Sequence, residues 1–181
     1  MAEFHKYPGE ADYEGLALTA EQYLAIGETQ ARYELIDGRV VRHPSPTVAR
    51  QVLMSELDMQ LLRWERQHPG AFAVRGVDVK LSEELVYCPD MVVYRPGRLA
   101  RTPDRLDTPP DLVIDVAWGW EAARDFERRG HEYARFGLPE YWVLDVAGGV
   151  ARVWERVRFA SVHGGVVRST RLNDFVIEFR R

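Results

Sequence analysis

Cysteine is nearly missing from this 181-residue sequence. Cys88 stands alone, which excludes an intrachain disulfide and a thiolate-built zinc site. Lysine is almost as scarce: Lys6 and Lys80 are the only two, and arginine supplies nearly all of the 24 basic residues. Positive charge is outnumbered as well, with a formal net charge of −4. Tight non-specific DNA binding is driven by phosphate neutralisation and goes with a basic balance, so any nucleic-acid surface must be local. Arg95, Arg98, Arg101 and Arg105 in one loop, and Arg124, Arg128 and Arg129 on one predicted helix, are the candidates. Solvated arginines are the plainer reading of both groups. No apolar run approaches the ~20 residues that a membrane span needs. The opening "MAEFHKYPGEADYEG" has acidic residues and no long apolar region, unlike a secretory signal. These features together point to the cytoplasm. No G-x-G-x-x-G or P-loop pattern is present, which argues against a nucleotide-cradling loop. The histidines (His5, His43, His68, His131 and His163) lack the spacing of a zinc site.

What is there is ordinary for a globular chain: 46% hydrophobic and 29% charged residues. The length suits a single domain of roughly 100–200 residues, read as 19–181 after a loosely ordered tail at 1–18. "TAEQYLAIG" (19–27) predicts a short helix, with Thr19 and Gln22 at capping-box spacing and Gly27 as the stop. Asp37-Gly38, between two alternating stretches, predicts a hairpin. After the "PSP" break at 44–46, Val48, Val52, Met59 and Leu62 recur at near-helical spacing, with Leu53 and Leu57 beside them. That predicts a long amphipathic helix over 47–67. Strands are expected at 72–80, 86–94 and 111–117, a helix at about 120–136, and another strand at 139–146. Gly148-Gly149 then turns the chain into "VARVWERV", and Gly164-Gly165 marks a further turn. This order predicts an α/β or α+β domain with a mixed sheet.

Two acids stand out. In "DLVIDVAW" (111–118) Asp115 interrupts an apolar strand, and in "YCPDMVVY" Asp90 opens one. A carboxylate in an apolar run must be paired, protonated or bound to a cation, because burying it alone is too costly. Alternation puts Val113, Asp115 and Ala117 on one face of their strand, and Asp90, Val92 and Tyr94 on one face of theirs. Were the strands neighbours, two carboxylates would approach within the span of one metal ion. Like charges that close need a proton or cation between them, and a hard ion such as Mg²⁺ suits oxygen ligands. On the next helix Ala122, Phe126, Tyr133 and Phe136 form an apolar stripe that also carries Asp125 and Arg129. Arg129 there either pairs with Asp125 at i,i+4 or reaches toward the carboxylates.

The segments "YELIDGRVV", "VDVKL", "PDMVV", "PPDLVIDV" and "YARFGLPEYWVLD" together resemble the Uma-type restriction endonuclease family of the PD-(D/E)xK superfamily. The resemblance runs from about 19 to 158. It implies a restriction-endonuclease-like fold, a central mixed sheet flanked by helices, with a divalent-metal site on the central strands. The matching acidic positions are Glu34, Asp90 and Asp115. The basic position of the following helix falls on Arg129, with Asp125 and Tyr133 in their places around it. Four positions depart from the family pattern. Asp115 replaces Glu, Arg129 replaces Lys, "AWGW" replaces a Ser-Pro-Ser turn and brings Trp118 and Trp120, and the family's histidine falls near Arg50. Arginine stays charged and cannot act as a base, but its fork suits phosphate oxygens. Lys80, in "DVK", is a possible substitute base, although it precedes the "PD" motif.

Two functional readings follow. In the first the chain is a DNA endonuclease, with Glu34, Asp90 and Asp115 holding one or two Mg²⁺ or Mn²⁺ ions and Arg129 binding the scissile phosphate. Cutting both strands favours a homodimer. In the second the fold has lost catalysis and serves as a nucleic-acid- or protein-binding module. A small-ligand α/β protein is a weaker third. Cys88 reads as a buried inert thiol. The tryptophans could stack on bases, although Trp142 reads as core.

Overall fold

The computed structural model describes residues 12–100, 102–117, 121–146, 148–155 and 158–179, of which 121–124 are described by backbone alone. Arg101, Trp118 and Trp120 therefore lie outside the described residues, as does the side chain of Arg124. The chain forms two compact units. One comprises the residues up to Pro46 together with Asp78–Cys88, and the other Thr47–Val77 together with Pro89 onward.

In the first unit, helix α1 (Ala20–Leu24) begins with the expected reciprocal cap. Thr19 accepts from the Gln22 amide, and the Gln22 side chain accepts from the Thr19 amide. Strands β1 (Tyr33–Ile36) and β2 (Arg39–Arg42) pair antiparallel around Asp37-Gly38. Both turn residues have positive φ, 51° and 71°, the mirror-image turn whose twist matches that of the strands. Of the expected tail, residues 1–11 lie outside the described residues. Residues 15–18 are tied to β2 and its turn through Gly15 N–H to Val40 O and Leu18 N–H to Gly38 O.

Two expected strands are each broken in two. The 72–80 stretch gives β3 (Phe72–Val74) and β4 (Val79–Lys80), separated at Gly76 with φ 59°. The 86–94 stretch gives β5 (Val86–Tyr87) and β6 (Met91–Tyr94), separated at Cys88-Pro89, where proline has no amide to donate. The halves go to different sheets. β4 and β5 complete a four-stranded sheet in the order β2-β1-β5-β4. A small core of Ala20, Tyr23, Tyr33, Leu35, Val40 and Val86 lies within this unit.

β3 and β6 belong to the second unit, with β7 (Leu112–Ala117), β8 (Glu140–Asp145), β9 (Val150–Glu155) and β10 (Arg158–His163). The sheet order is β10-β9-β8-β7-β6-β3. Only β7 and β8 run parallel among its neighbouring pairs, joined by helix α3 (Glu121–Phe136), as a parallel pair requires a crossover. A separate pair, β11 (Val166–Arg168) and β12 (Val176–Glu178), follows.

Helix α2 (Val48–Gln67) shares a core with one face of this sheet. The face it buries differs from the expected one. Leu53, Met54, Leu57, Leu61 and Trp64 are inside, whereas Val48, Val52, Met59 and Leu62 are exposed. The helix carries two apolar rows, and the row ending in Trp64 packs with Leu112, Ile114, Trp142 and Leu144. On the other face α3 lays Phe126 and Tyr133 against Tyr141. No helix among the described residues is long and apolar enough to cross a membrane.

At Gly130 α3 lies close against Trp154 of β9. A methyl group there would lie 2.7 Å from Trp154 Cδ2 and 2.9 Å from Cε3. The indole is hemmed in by Phe126, His131 and Phe159. Alanine ordinarily favours a helix over glycine by about 1 kcal/mol. We expect the clash to reverse that sign, so Gly130→Ala should lower stability by about 1–3 kcal/mol in urea titrations followed by circular dichroism.

Candidate functional site

The expected pair of acids meets on the β6–β7 ladder. The register pairs Met91 with Ile114, and one further antiparallel step sets Asp90 opposite Asp115. Each carboxylate binds the other strand's backbone. Asp115 Oδ1 accepts from the Asp90 amide at 3.0 Å, and Asp90 Oδ2 accepts from the Val116 amide at 2.7 Å. The apolar run around Asp115 is thus a true buried strand, and its acid serves as a side-chain rung.

Two arginines balance the pair. Arg50, on the first turn of α2, places Nη2 at 2.5 Å from Asp90 Oδ1 and 2.6 Å from Oδ2. Thr47 caps that turn by accepting from the Arg50 amide. Arg129 puts Nη1 3.8 Å from Asp115 Oδ2 and donates from Nε to Asp125 Oδ2 at 2.6 Å. Both sequence readings of Arg129 therefore hold together: it is an i,i+4 partner of Asp125 and it also faces the acid pair. The Arg129 side chain is only 8% exposed, whereas that of Arg50 is 22% exposed. Arg128 also binds Asp125. Burial alone would push the Asp125 carboxyl up, but the bonds and charges of Arg129 and Arg128 hold it below its ordinary value.

Tyr141, on β8, donates its hydroxyl to Asp115 Oδ2 at 2.9 Å. Burial, with the Asp115 charge adding to it, pushes the Tyr141 phenol well up, so it remains a donor. The sequence carried a signal for it. β7 and β8 pair Val113 with Tyr141, and alternation puts Val113 on the Asp115 face.

Glu34 lies in the other unit and is fully buried. Its Oε2 sits 2.7 Å from His43 Nε2, and its Oε1 accepts from the Cys88 amide at 2.9 Å. Arg32 binds the Cys88 carbonyl and lies 3.8 Å from Glu34. Nearby, Asp78 accepts from the Tyr23 hydroxyl at 3.4 Å. Lys80 is engaged by Glu83 at 2.6 Å and Glu21 at 3.0 Å, and those bonds raise its pKa. That commits it to a local ion-pair set. Cys88 is buried, and Trp142 and Trp154 are core residues.

The resemblance implies a divalent ion at the acids. Two observations bear on the fit. Asp90 and Asp115 present hard carboxylate oxygens aimed by backbone amides, and a single nitrogen of Arg50 bonds both Asp90 oxygens. Among the described residues no three His, Cys, Asp or Glu side chains form a metal-holding group. The donor set therefore suits an ion that takes one or two carboxylates and completes its shell with water and phosphate, as Mg²⁺ does. It does not suit an ion that needs an all-protein cage.

Comparison with known proteins bears on the family and the fold. The family model Uma2, described as "Putative restriction endonuclease", matches residues 20–176. A crystal structure described as a "putative nuclease belonging to DUF820", from Anabaena variabilis, is 16% identical with a TM-score of 0.71. The match covers 84% of this chain and 89% of that one. At that identity the likeness establishes the fold, a restriction-endonuclease-like one with a central mixed sheet. No curated protein matches the chain.

Asp78 supplies a pH test of the first unit. Burial raises its pKa to about 6; the Glu34 charge also raises it, while the Tyr23 hydrogen bond and Arg32 oppose the rise. A carboxyl whose folded pKa lies above its unfolded value contributes stability below the unfolded pKa and loses it as pH climbs through the folded one. The Asp78 contribution should therefore fall between about pH 4 and 6, by roughly 2–3 kcal/mol. Asp78→Asn keeps an acceptor for Tyr23 and should flatten that slope in urea titrations run from pH 4 to 7.

Proposed function

The chain belongs to the Uma2 family, and from that premise we propose that it is a divalent-metal-dependent endonuclease hydrolysing DNA phosphodiester bonds at an altered site. The observation that carries this reading is the amide-anchored pair Asp90 and Asp115, opposed on adjacent strands with buried Arg129 beside them. Asp90 and Asp115 would hold a Mg²⁺ or Mn²⁺ ion, which when bound activates water and polarises a phosphate. The backbone amides of Asp90 and Val116 fix where the carboxylates point. Tyr141 anchors Asp115 from the next strand. Arg129 supplies a fixed positive charge for the phosphoryl oxygens and, being an arginine, takes no proton from water. Glu34, the third acid of the expected set, is engaged within its own unit by His43 and the Cys88 amide. DNA as substrate, a homodimer that cuts both strands, and a cytoplasmic location belong to the same proposal.

The second reading, a DNA- or protein-binding module without hydrolysis, is favoured by one specific observation. The position where the family carries lysine holds an arginine already bonded to Asp125, which leaves no side-chain base there.

Plasmid nicking with Mg²⁺ or Mn²⁺ separates the two. Under the first reading wild-type protein nicks supercoiled DNA, and Asp90→Asn or Asp115→Asn lowers the rate by at least roughly a hundredfold. DNA retardation without nicking at any metal concentration would select the second. Arg129→Lys, which restores a group able to shed a proton, should raise the rate. An unchanged or lower rate in a folded variant would show that Arg129 is not what attenuates the site.

A further inference from the structure

We propose that Arg50 is a tethered cation that holds the Asp90 ion position and competes with a divalent metal for it. The inference rests on the endonuclease reading for the identity of the ion, and on this structure for the competition. The contact is a single nitrogen set between two oxygens, 2.5 and 2.6 Å away. That puts a positive charge between the two oxygens, where a cation bound bidentately by the carboxylate would sit. A fork-to-fork arginine pair would instead use two nitrogens, one for each oxygen.

The two arginines at the site are not equivalent. Arg129 is 8% exposed, and Asp125 grips it through Nε. Arg50 is 22% exposed, and its side chain bonds both oxygens of Asp90. Its backbone is held by the Thr47 cap, so the guanidinium can swing toward solvent without unwinding the helix. The acids would stay in place after it left. Asp90 Oδ2 is still held by the Val116 amide, and Asp115 by the Asp90 amide and Tyr141. Arg50 is therefore the exchangeable cation and Arg129 the permanent one. A metal must outcompete a neighbour already bound, so its apparent affinity in the wild-type chain is reduced. A unit charge held against the carboxylate opposes a second cation at the same oxygens, and we expect it to weaken metal binding roughly tenfold to a thousandfold.

The test is Mn²⁺ titration of the full chain without DNA, by calorimetry and by electron paramagnetic resonance of free Mn²⁺. It compares wild type, Arg50→Gln, Arg50→Ala and Arg50→Lys. The glutamine keeps a donor for Asp90 without the charge, so it guards against a variant that fails to fold; circular dichroism checks each protein. The expected result is binding at least tenfold tighter in Arg50→Gln and Arg50→Ala than in wild type, with Arg50→Lys near wild type. Mn²⁺ should also raise the thermal midpoint of the two neutral variants more than that of wild type. Asp90→Asn in the Arg50→Gln background should remove the binding, which locates the ion. Equal affinity in wild type and folded Arg50→Gln would overturn the competition and leave the endonuclease reading standing. No binding by folded Arg50→Gln at millimolar Mn²⁺ would overturn both.

Discussion

The ladder between β6 and β7 ends in two carboxylates, and everything at that end of the sheet follows from how their charges are balanced. A buried carboxylate without partners is too costly to keep, and two side by side repel. The structure meets both demands at once. Each acid accepts a backbone amide of the opposite strand, which satisfies an oxygen and fixes the side chain's direction. Charge is balanced separately. Asp90, Asp115 and Asp125 face Arg50, Arg129 and Arg128. Geometry and neutralisation thus come from different groups, so one cation can be exchanged without disturbing the carboxylates it neutralises.

That separation gives meaning to departures that look unrelated in the sequence. Against the family pattern, histidine near position 50 and lysine at 129 are both arginine here. Histidine titrates near neutrality and lysine shifts readily when buried, whereas arginine does neither. Both changes remove a group that could carry a proton and add a fixed positive charge. In the proposed reading the site would rely on permanent electrostatics rather than on proton handling. Phosphoryl chemistry gains much of its rate from positioning and charge stabilisation, so hydrolysis can survive such a shift in weakened form. The scarcity of lysine across the chain accounts for arginine being the cation available, but not for both arginines facing the acids.

Much of this was legible in the sequence, and the failures share a physical cause. Asp37-Gly38 and the Thr19–Gln22 cap are local devices, readable because a few adjacent residues determine them. Asp90 and Asp115 were legible because each breaks an apolar run. The two misread strands fail where the chain passes from one sheet to another. Gly76 and Cys88-Pro89 supplied the break signals, but a single long strand fitted the apolar pattern as well. On α2 two apolar rows compete. Leu53, Leu57, Leu61 and Trp64 prevail over Val48, Val52, Met59 and Leu62 through packing with β7 and β8, which no local pattern reveals. The Arg50–Asp90 and Tyr141–Asp115 contacts span 40 and 26 positions. Only the resemblance pointed at position 50, and only strand alternation could have pointed at 141.

Aspartate in place of glutamate at 115 fits the same scheme. From β7 the shorter side chain reaches the Asp90 amide directly and still accepts from Tyr141. One more methylene would carry the carboxylate past that amide and out toward the space in front of the acids. It would then need its charge met there, by an ion or by a mobile base. With aspartate the carboxylate is drawn back into the ladder and its needs are met by the protein itself. The short acid at 115 and the arginine at 50 therefore complement each other: one keeps its carboxylate on the ladder beside Asp90, and the other neutralises Asp90 from α2.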